Sequence, residues 1–218
     1  MNNQAIGIYG GTFDPIHLGH TVPVKDLAAQ LNLDAVYLLP AHIPPHKNST
    51  TANALQRKLM VEKVCHVEPL FTLDDRELNR TTPSYTIDTI KELNNQYPDH
   101  TLYFFIGTDS LLQLTSWHKI AELLTLCHFV VTSRPGYDIS QLNQPLLNNR
   151  LTRNKKDLLL SRAGKIFIGE TKQVNISSTE LRTRLRSPLN RQNSTNNCRP
   201  YLLADVYNYI LQNKLYID

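Results

Sequence analysis

The sequence predicts an α/β fold, a doubly wound and mostly parallel sheet with a helical C-terminal end, in a single domain over residues 1–218. Three observations lead there. Short β-prone apolar runs recur at Ala5–Tyr9, Ala35–Leu39, Leu102–Ile106, His128–Thr132 and Lys165–Ile168. Helix-like segments lie between them, the alternation that builds parallel strands with helices on both faces. The turn out of the first run is glycine-rich and opens directly into a helix-like segment, and right-handed crossovers put such turns at the carboxyl ends of the strands, where ligands bind.

The elements follow in order. Ala5-Ile6-Gly7-Ile8-Tyr9 reads as a buried strand, and Leu18–Leu31 as a helix in which Pro23, lacking an N–H, predicts a kink. After the second strand, Pro40–Ala52 contains Pro-Pro-His-Lys and is read as a loop. Ala54–His66 and Tyr85–Tyr97 read as helices, and Ser110–Leu124 as a helical stretch broken near Trp117. Ser187–Pro200 is polar, rich in Asn and Ser, and reads as a surface excursion. Leu202, Leu203, Val206, Tyr209 and Ile210 form a helical stripe within Tyr201–Leu211, which should dock on the body.

Composition narrows the class. With 41% hydrophobic and only 19% charged residues, the chain can bury a sizeable core and is not a disordered segment. The three cysteines, Cys65, Cys127 and Cys198, are too few and too widely spaced for a disulfide framework or a structural zinc site. No secretory leader and no apolar run long enough to span a bilayer are evident, so a soluble, cytoplasmic protein is expected. The net charge of +4 is unevenly placed: twelve Lys and Arg stand between Arg150 and Arg199 against Asp157, Glu170 and Glu180. That block is read as a solvated basic face, with attraction for phosphates or nucleic acid as the alternative.

The chemistry concentrates in Gly10-Gly11-Thr12-Phe13-Asp14-Pro15-Ile16-His17-Leu18-Gly19-His20. Backbone N–H groups at a helix start attract anions. Gly10 and Gly11 are expected to let the backbone approach a ligand and to take dihedrals closed to other residues. His17 and His20, three apart, should face nearly the same side, and Gly19 between them keeps the helix surface bare. The segment is neither GxGxxG nor GxxxxGK[ST], so neither the dinucleotide fingerprint nor a P-loop is present. Near the other end, Ile176-Ser177-Ser178-Thr179-Glu180-Leu181-Arg182 suggests a helix capped by Ser178 or Thr179, with Arg182 one turn on. Asp74, Asp75 and Glu77, with Arg76 and Arg80 beside them, read as a solvated charged turn rather than a metal site. Cys127 and the isolated His66, His100 and His128 read as structural.

The first of these segments resembles the signature of the nucleotidyltransferase superfamily carrying the His-x-Gly-His motif, and Ile176–Arg182 resembles its second signature. Between them, Pro40–Lys47, Glu77-Leu78-Asn79-Arg80, Pro83-Ser84-Tyr85-Thr86, Ile106–Leu111, Trp117 and Ser133-Arg134-Pro135-Gly136 resemble bacterial nicotinate mononucleotide adenylyltransferases, in order and over nearly the whole chain. The resemblance implies a Rossmann-like fold and transfer of AMP from ATP to nicotinate mononucleotide, giving nicotinate adenine dinucleotide and pyrophosphate in NAD biosynthesis. It implies that Gly10, Gly11, Thr12, His17, His20, Ile176, Ser177, Ser178, Thr179 and Arg182 contact ATP, with Thr12, His17, His20, Lys47 and Arg182 acting on the reacting phosphates. It places His46, Lys47, Thr86, Gly107, Asp109, Trp117, His118 and Arg134 around the acceptor. Close relatives often carry tyrosine where this chain has His118. Asp109 reads as an acceptor for a ribose hydroxyl, with a helix N-cap as the alternative, and Trp117 by itself as either a core or hinge residue or a platform for the pyridine ring.

The expected partners are therefore the small molecules ATP, with Mg²⁺, and nicotinate mononucleotide, and neither nucleic acid nor membrane; oligomeric state is left open. Mg²⁺ would sit on phosphate oxygens and keep several waters, so no protein cage for a metal is expected. The alternatives are phosphopantetheine adenylyltransferase, which shares the first signature, and a non-catalytic nucleotide- or nucleic-acid-binding module using the basic block. A truncated tRNA synthetase is disfavoured, because the second signature is Ile-Ser-Ser-Thr rather than a lysine-rich loop.

Overall fold

A computed structural model describes residues 4–42, 50–81, 83–132, 142, 144–186 and 197–217. Seven strands form one sheet: β1 (Ala5–Gly11), β2 (Val36–Pro40), β3 (Phe71–Leu73), β4 (Thr101–Gly107), β5 (His128–Thr132), β6 (Leu151–Thr152) and β7 (Ile166–Ile168). Their order is β3-β2-β1-β4-β5-β7-β6, and every neighbouring pair is parallel. The order reverses between β1 and β4, so the sheet has its topological switch point there, and a crevice opens beyond the carboxyl ends of those two strands.

Helices cover both faces. On one side lie α1 (Leu18–Leu31), α2 (Ala54–Val67) and α8 (Ala204–Gln212); on the other lie α3 (Thr86–Gln96), the short α4 (Thr108–Leu112) and α5 (Ile120–Leu123), and α6 (Pro145–Asn148). The remaining helix, α7 (Ser178–Arg186), sends Leu181 into the first of these cores. Alternation along the strands sorts side chains between the layers, as a pleated strand must. Tyr103 and Phe105 of β4 join Val24, Leu27 and Val61 on the first face, while Leu102, Phe104 and Ile106 join Ile87, Ile90 and Leu93 on the second. β4 is buried at all seven positions, which is why it reads as a nearly continuous apolar run rather than an alternating one.

The expected strands and long helices appear within one or two residues. β3 and β6 were not expected; at three and two residues they are too short to carry a period. α1 is continuous through Pro23, which gives up one backbone bond without ending the helix. The stretch around Trp117 is broken as expected: α4 gives way to a 3₁₀ turn at Leu114–Ser116, Lys119 adopts φ 53°, and α5 follows. The C-terminal helix begins at Ala204 rather than Tyr201, because Arg199–Tyr201 forms a separate 3₁₀ turn containing Pro200. His128 and Cys127 are fully buried, as the structural reading of both required. No helix among the described residues is long and apolar enough to cross a membrane.

Candidate active site

The crevice at the switch point is a cleft of about 550 Å³, and the two separated signatures meet in it. Gly10, Gly11, Thr12, His17 and His20 line one wall; Ile176, Ser177, Ser178 and Thr179 line another; Thr86, Gly107, Asp109 and Trp117 line the rest.

Gly10 and Gly11 are the last residues of β1, and neither has a positive φ. The expectation of dihedrals closed to other residues is therefore not met; the left-handed position of the turn is Phe13, at φ 51°. A Cβ on Gly11 would stand 2.8 Å from the Phe13 ring, so this glycine is there for space. Phe13 itself is buried and meets the His20 ring edge-on at 5.4 Å.

His17 is the N-cap of α1 and only 5% exposed. The two imidazoles lie 3.7 Å apart between centroids, tilted by 32°, so the three-residue spacing does bring them together. The His17 backbone N–H donates to His20 Nδ1 at 3.3 Å. In a neutral ring this puts the His20 proton on Nε2. Gly19 keeps more than a bare surface: a Cβ there would come within 2.9 Å of His17 Nδ1 and 3.1 Å of the Ile176 side chain.

The second signature is fastened to the first by three-dimensional contacts that no local pattern announces. The Ser178 hydroxyl donates to the Pro15 carbonyl at 3.0 Å, and Arg182 Nη1 donates to the Asp14 carbonyl at 2.8 Å. Arg182 Nη2 also donates to the Thr179 hydroxyl at 3.2 Å. The cap of α7 is neither Ser178 nor Thr179. It is Ser177, whose Oγ accepts the Glu180 N–H at 3.1 Å, because capping needs the residue just outside the helix. Ser178 is released for the Pro15 contact, and the first turn of α7 lines the cleft.

Beneath the first signature lies a buried polar hub. The Asp14 carboxylate accepts the N–H groups of Thr51 and Ala52 at 2.8 and 3.0 Å and the Tyr216 hydroxyl at 2.7 Å. Arg57, 1% exposed, donates to the Thr12 carbonyl at 2.7 Å. Burial pulls the Arg57 guanidinium below its ordinary pKa, and the neighbouring Asp14 charge opposes that. Asp14, Arg57 and Tyr216 were not singled out from the sequence; the only signal available was an arginine inside the otherwise apolar buried face of α2.

Trp117 packs edge-on against Phe104 and Phe129, at 6.0 and 6.2 Å, while remaining part of the cleft wall. It is thus a packing residue and a lining residue at once. Asp109 is not a helix N-cap: Gly107 takes that position, and Asp109 sits in the first turn of α4. Thr86 is the first residue of α3. His118 is exposed and lies against the Tyr85 ring at 4.7 Å rather than in the cleft wall. His46, Lys47 and Arg134 fall outside the described residues.

Glu77 corrects the sequence reading of the acidic turn. Asp74 does pair with Arg76 at 2.7 Å, half-buried, and Asp75 with Lys58 at 2.8 Å nearer the surface. Glu77, however, is 6% exposed and lines the cleft. Its pKa is raised by burial, with hydrogen bonds from Thr89 and Ser84 and the Arg80 charge working against that. The signal for it lay in Glu77-Leu78-Asn79-Arg80, which resembles the family although its charges suggest a surface.

Several cations of the basic block bond to backbone carbonyl groups. Arg150 donates to the Gly164 carbonyl, Lys155 to Gln30, Arg162 to Pro98 and His100, and Arg182 to Asp14, so these four satisfy carbonyl groups where chain segments meet. Among the described residues, no group of three His, Cys, Asp or Glu side chains stands together as a metal cage.

Comparison with known proteins agrees with this architecture. The cytidylyltransferase-like family matches residues 8–184. Nicotinate-nucleotide adenylyltransferase of Escherichia coli O6:H1 (strain CFT073) is 44% identical over 213 residues, covering 96% of this chain and 97% of that protein. Among solved structures, Plasmodium falciparum nicotinic acid mononucleotide adenylyltransferase complexed with NaAD aligns with a TM-score of 0.74 at 22% identity, over 98% of this chain and 97% of that one. The same Plasmodium protein complexed with APC gives 0.72 at 21% identity, over the same shares of both chains. The structural likeness shows the fold, a Rossmann-like nucleotidyltransferase sheet, and the sequence identity shows the family. The chain belongs to the cytidylyltransferase-like family and, within it, to the nicotinate-nucleotide adenylyltransferases.

Proposed function

We infer that this chain, acting as one nucleotidyltransferase domain, transfers the adenylyl group of ATP to nicotinate mononucleotide, yielding nicotinate adenine dinucleotide and pyrophosphate in the biosynthesis of NAD. The observation that carries the reading is the union of His17, His20 and the start of α7 in one cleft, fixed by the Ser178–Pro15 and Arg182–Asp14 hydrogen bonds. Relatives 44% identical over nearly the whole chain bear the name of that activity.

The chemistry asks little of the protein beyond placement and charge. An oxygen of the acceptor's phosphate attacks the α-phosphorus of ATP in line, the bond from that phosphorus to the bridging oxygen breaks, and pyrophosphate leaves. The attacking oxygen is already anionic, so no side chain has to remove a proton. His20 Nε2–H and the His17 imidazole supply donors to the triphosphate, with Thr12 and Lys47 steadying the reacting phosphates. The N–H groups at the start of α7, with Ser178, Thr179 and Arg182, receive the leaving pyrophosphate. Gly107, Asp109, Trp117, His118, Arg134 and His46 are the residues this reading gives to the mononucleotide, with Thr86 offering a backbone N–H to its carboxylate.

Mg²⁺ is the ion this reading pairs with ATP. With no three-residue cage among the described residues, it would ride on phosphate oxygens and water, neutralising charge on the triphosphate. Three free cysteines suit a reducing cytoplasm.

The test is pyrophosphate release from ATP and Mg²⁺ with nicotinate mononucleotide, nicotinamide mononucleotide or phosphopantetheine as acceptor. Release with nicotinate mononucleotide is expected. Release with phosphopantetheine alone would move the chain to the other activity, and none with any acceptor would overturn the enzymatic reading.

A further inference from the structure

Glu77 is a buried carboxylate for which the transfer chemistry has no use. It accepts the Thr89 hydroxyl at 2.7 Å, and the Ser84 hydroxyl also donates to it. Thr89 Oγ1 in turn accepts Arg80 Nη1 at 2.8 Å. Ser84 Oγ accepts the His42 backbone N–H at 3.2 Å. One side chain therefore ties the exit of β2, the approach to α3 and the first turns of α3.

Thr86 lies between the two tethered positions. It is two residues after Ser84 and three before Thr89, so Thr89 stands on the same helix face one turn on. The first N–H groups of a helix have no partner within it, and their direction is set by whatever fixes the helix start. Tyr85, the N-cap of α3, makes no side-chain capping bond, so the local sequence does not fix it. The Glu77 network does so from both sides. A buried carboxylate costs free energy unless its hydrogen bonds are complete, and here they are directed at the two residues that bracket Thr86.

We propose that Glu77 is a positioning residue for acceptor selection: by holding Ser84 and Thr89 it aims the first N–H groups of α3 into the cleft, favouring a pyridine ring that carries a carboxylate over one that carries a neutral amide. Arg80 beside it offsets its charge, so the carboxylate does not repel the anionic substituent it helps to receive. This rests on the adenylyl-transfer reading above.

The experiment measures kcat and KM with nicotinate and nicotinamide mononucleotides for the wild type, Glu77→Ala, Glu77→Gln and Thr89→Val. The ratio of kcat/KM for nicotinate over nicotinamide should fall roughly tenfold in Glu77→Ala, on the scale of hydrogen bonds to a charged group, through KM for the nicotinate form, with KM for ATP unmoved. Glu77→Gln, which keeps the size and one acceptor oxygen, should restore part of the ratio. Equal losses for both acceptors, or a matching rise in KM for ATP, would mark a packing role and overturn the proposal. If Glu77→Ala does not fold, Thr89→Val removes one hydroxyl at similar volume and decides by the same ratio. A wild type that turns over both acceptors equally overturns this inference alone. A wild type inert toward both overturns the functional reading and this inference with it.

Discussion

The hydroxyl of Tyr216 donates to Oδ1 of Asp14 over 2.7 Å, joining residues 202 positions apart in the chain. Asp14 sits in the middle of the first signature, and Tyr216 lies beyond the last helix. The same carboxylate receives the Thr51 and Ala52 N–H groups at the entry to α2, and the Asp14 carbonyl receives Arg182 from α7. Three distant segments thus end on one residue of the first signature's turn. Burial, together with the adjacent Asp14 charge, pushes the Tyr216 phenol far above its ordinary pKa, so it stays protonated and remains the donor.

Tyr216→Phe removes that donor and nothing else of comparable size. Its loss should lower stability by about 1–2 kcal/mol, the usual cost of leaving a buried charged acceptor short of one bond. Denaturant unfolding of both proteins checks the value. An unchanged midpoint would mean that water replaces the hydroxyl without loss.

His20 serves two purposes that one substitution separates. His20→Asn presents an oxygen where Nδ1 accepts the His17 N–H, so the start of α1 should persist, with stability within about 1 kcal/mol of the wild type. The Nε2 donor is lost, and kcat should fall by roughly 10²–10³-fold while KM for either substrate changes far less. His17→Ala is expected to follow the same kinetic pattern. Unchanged turnover in a folded variant would remove the imidazoles from the chemistry.

Gly19→Ala tests how closely the turn is packed around His17. The added methyl would enter within 2.9 Å of His17 Nδ1 and 3.1 Å of Ile176. Alanine favours a helix over glycine by about 1 kcal/mol, so stability should hold or rise slightly. Turnover should nonetheless drop about tenfold or more as the ring is displaced. Steady-state kinetics set beside a melting curve distinguish the two effects.

His128 predicts an acid-sensitive fold. Its Nδ1 accepts the Lys165 N–H at 3.1 Å and its Nε2 faces the Ser161 carbonyl at 3.0 Å, so a second ring proton would have to point at a donor. Burial accordingly lowers its pKa below the ordinary 6.5. The unfolded chain then binds the proton more readily, and stability falls as pH drops from about 6.5 toward the folded value. Melting temperatures measured downward from pH 7 should decline, and His128→Gln should flatten the decline while lowering the plateau.

Most of the sheet was legible because buried parallel strands are apolar throughout and their helices carry a clear stripe; β4 and α3 are the plainest cases. β3 and β6 were not, since two or three residues hold no period and exist only because a neighbouring strand offers its edge. The site divided in the same way. His17, Gly19 and His20 could be read from spacing within one turn. Glu77 could not, because a run of alternating acids and bases pairs within itself, as Asp74 does with Arg76, and only the chain's path turns the next side chain fully inward.

By itself, the sequence determined the parallel α/β class, the glycine turn that brings His17 and His20 together, and the family, because each rests on short-range patterns that fix local backbone and chemistry. Tertiary structure alone decided that Ser177 and not Ser178 caps α7, that Arg182 and Tyr216 converge on Asp14, and that Glu77 is buried at the cleft wall. The convergence on Asp14 depends on which distant groups complete its hydrogen bonds, and partners more than 160 residues apart leave no trace in local periodicity; the Ser177 cap and the burial of Glu77 turn on where a helix starts and how the chain is routed.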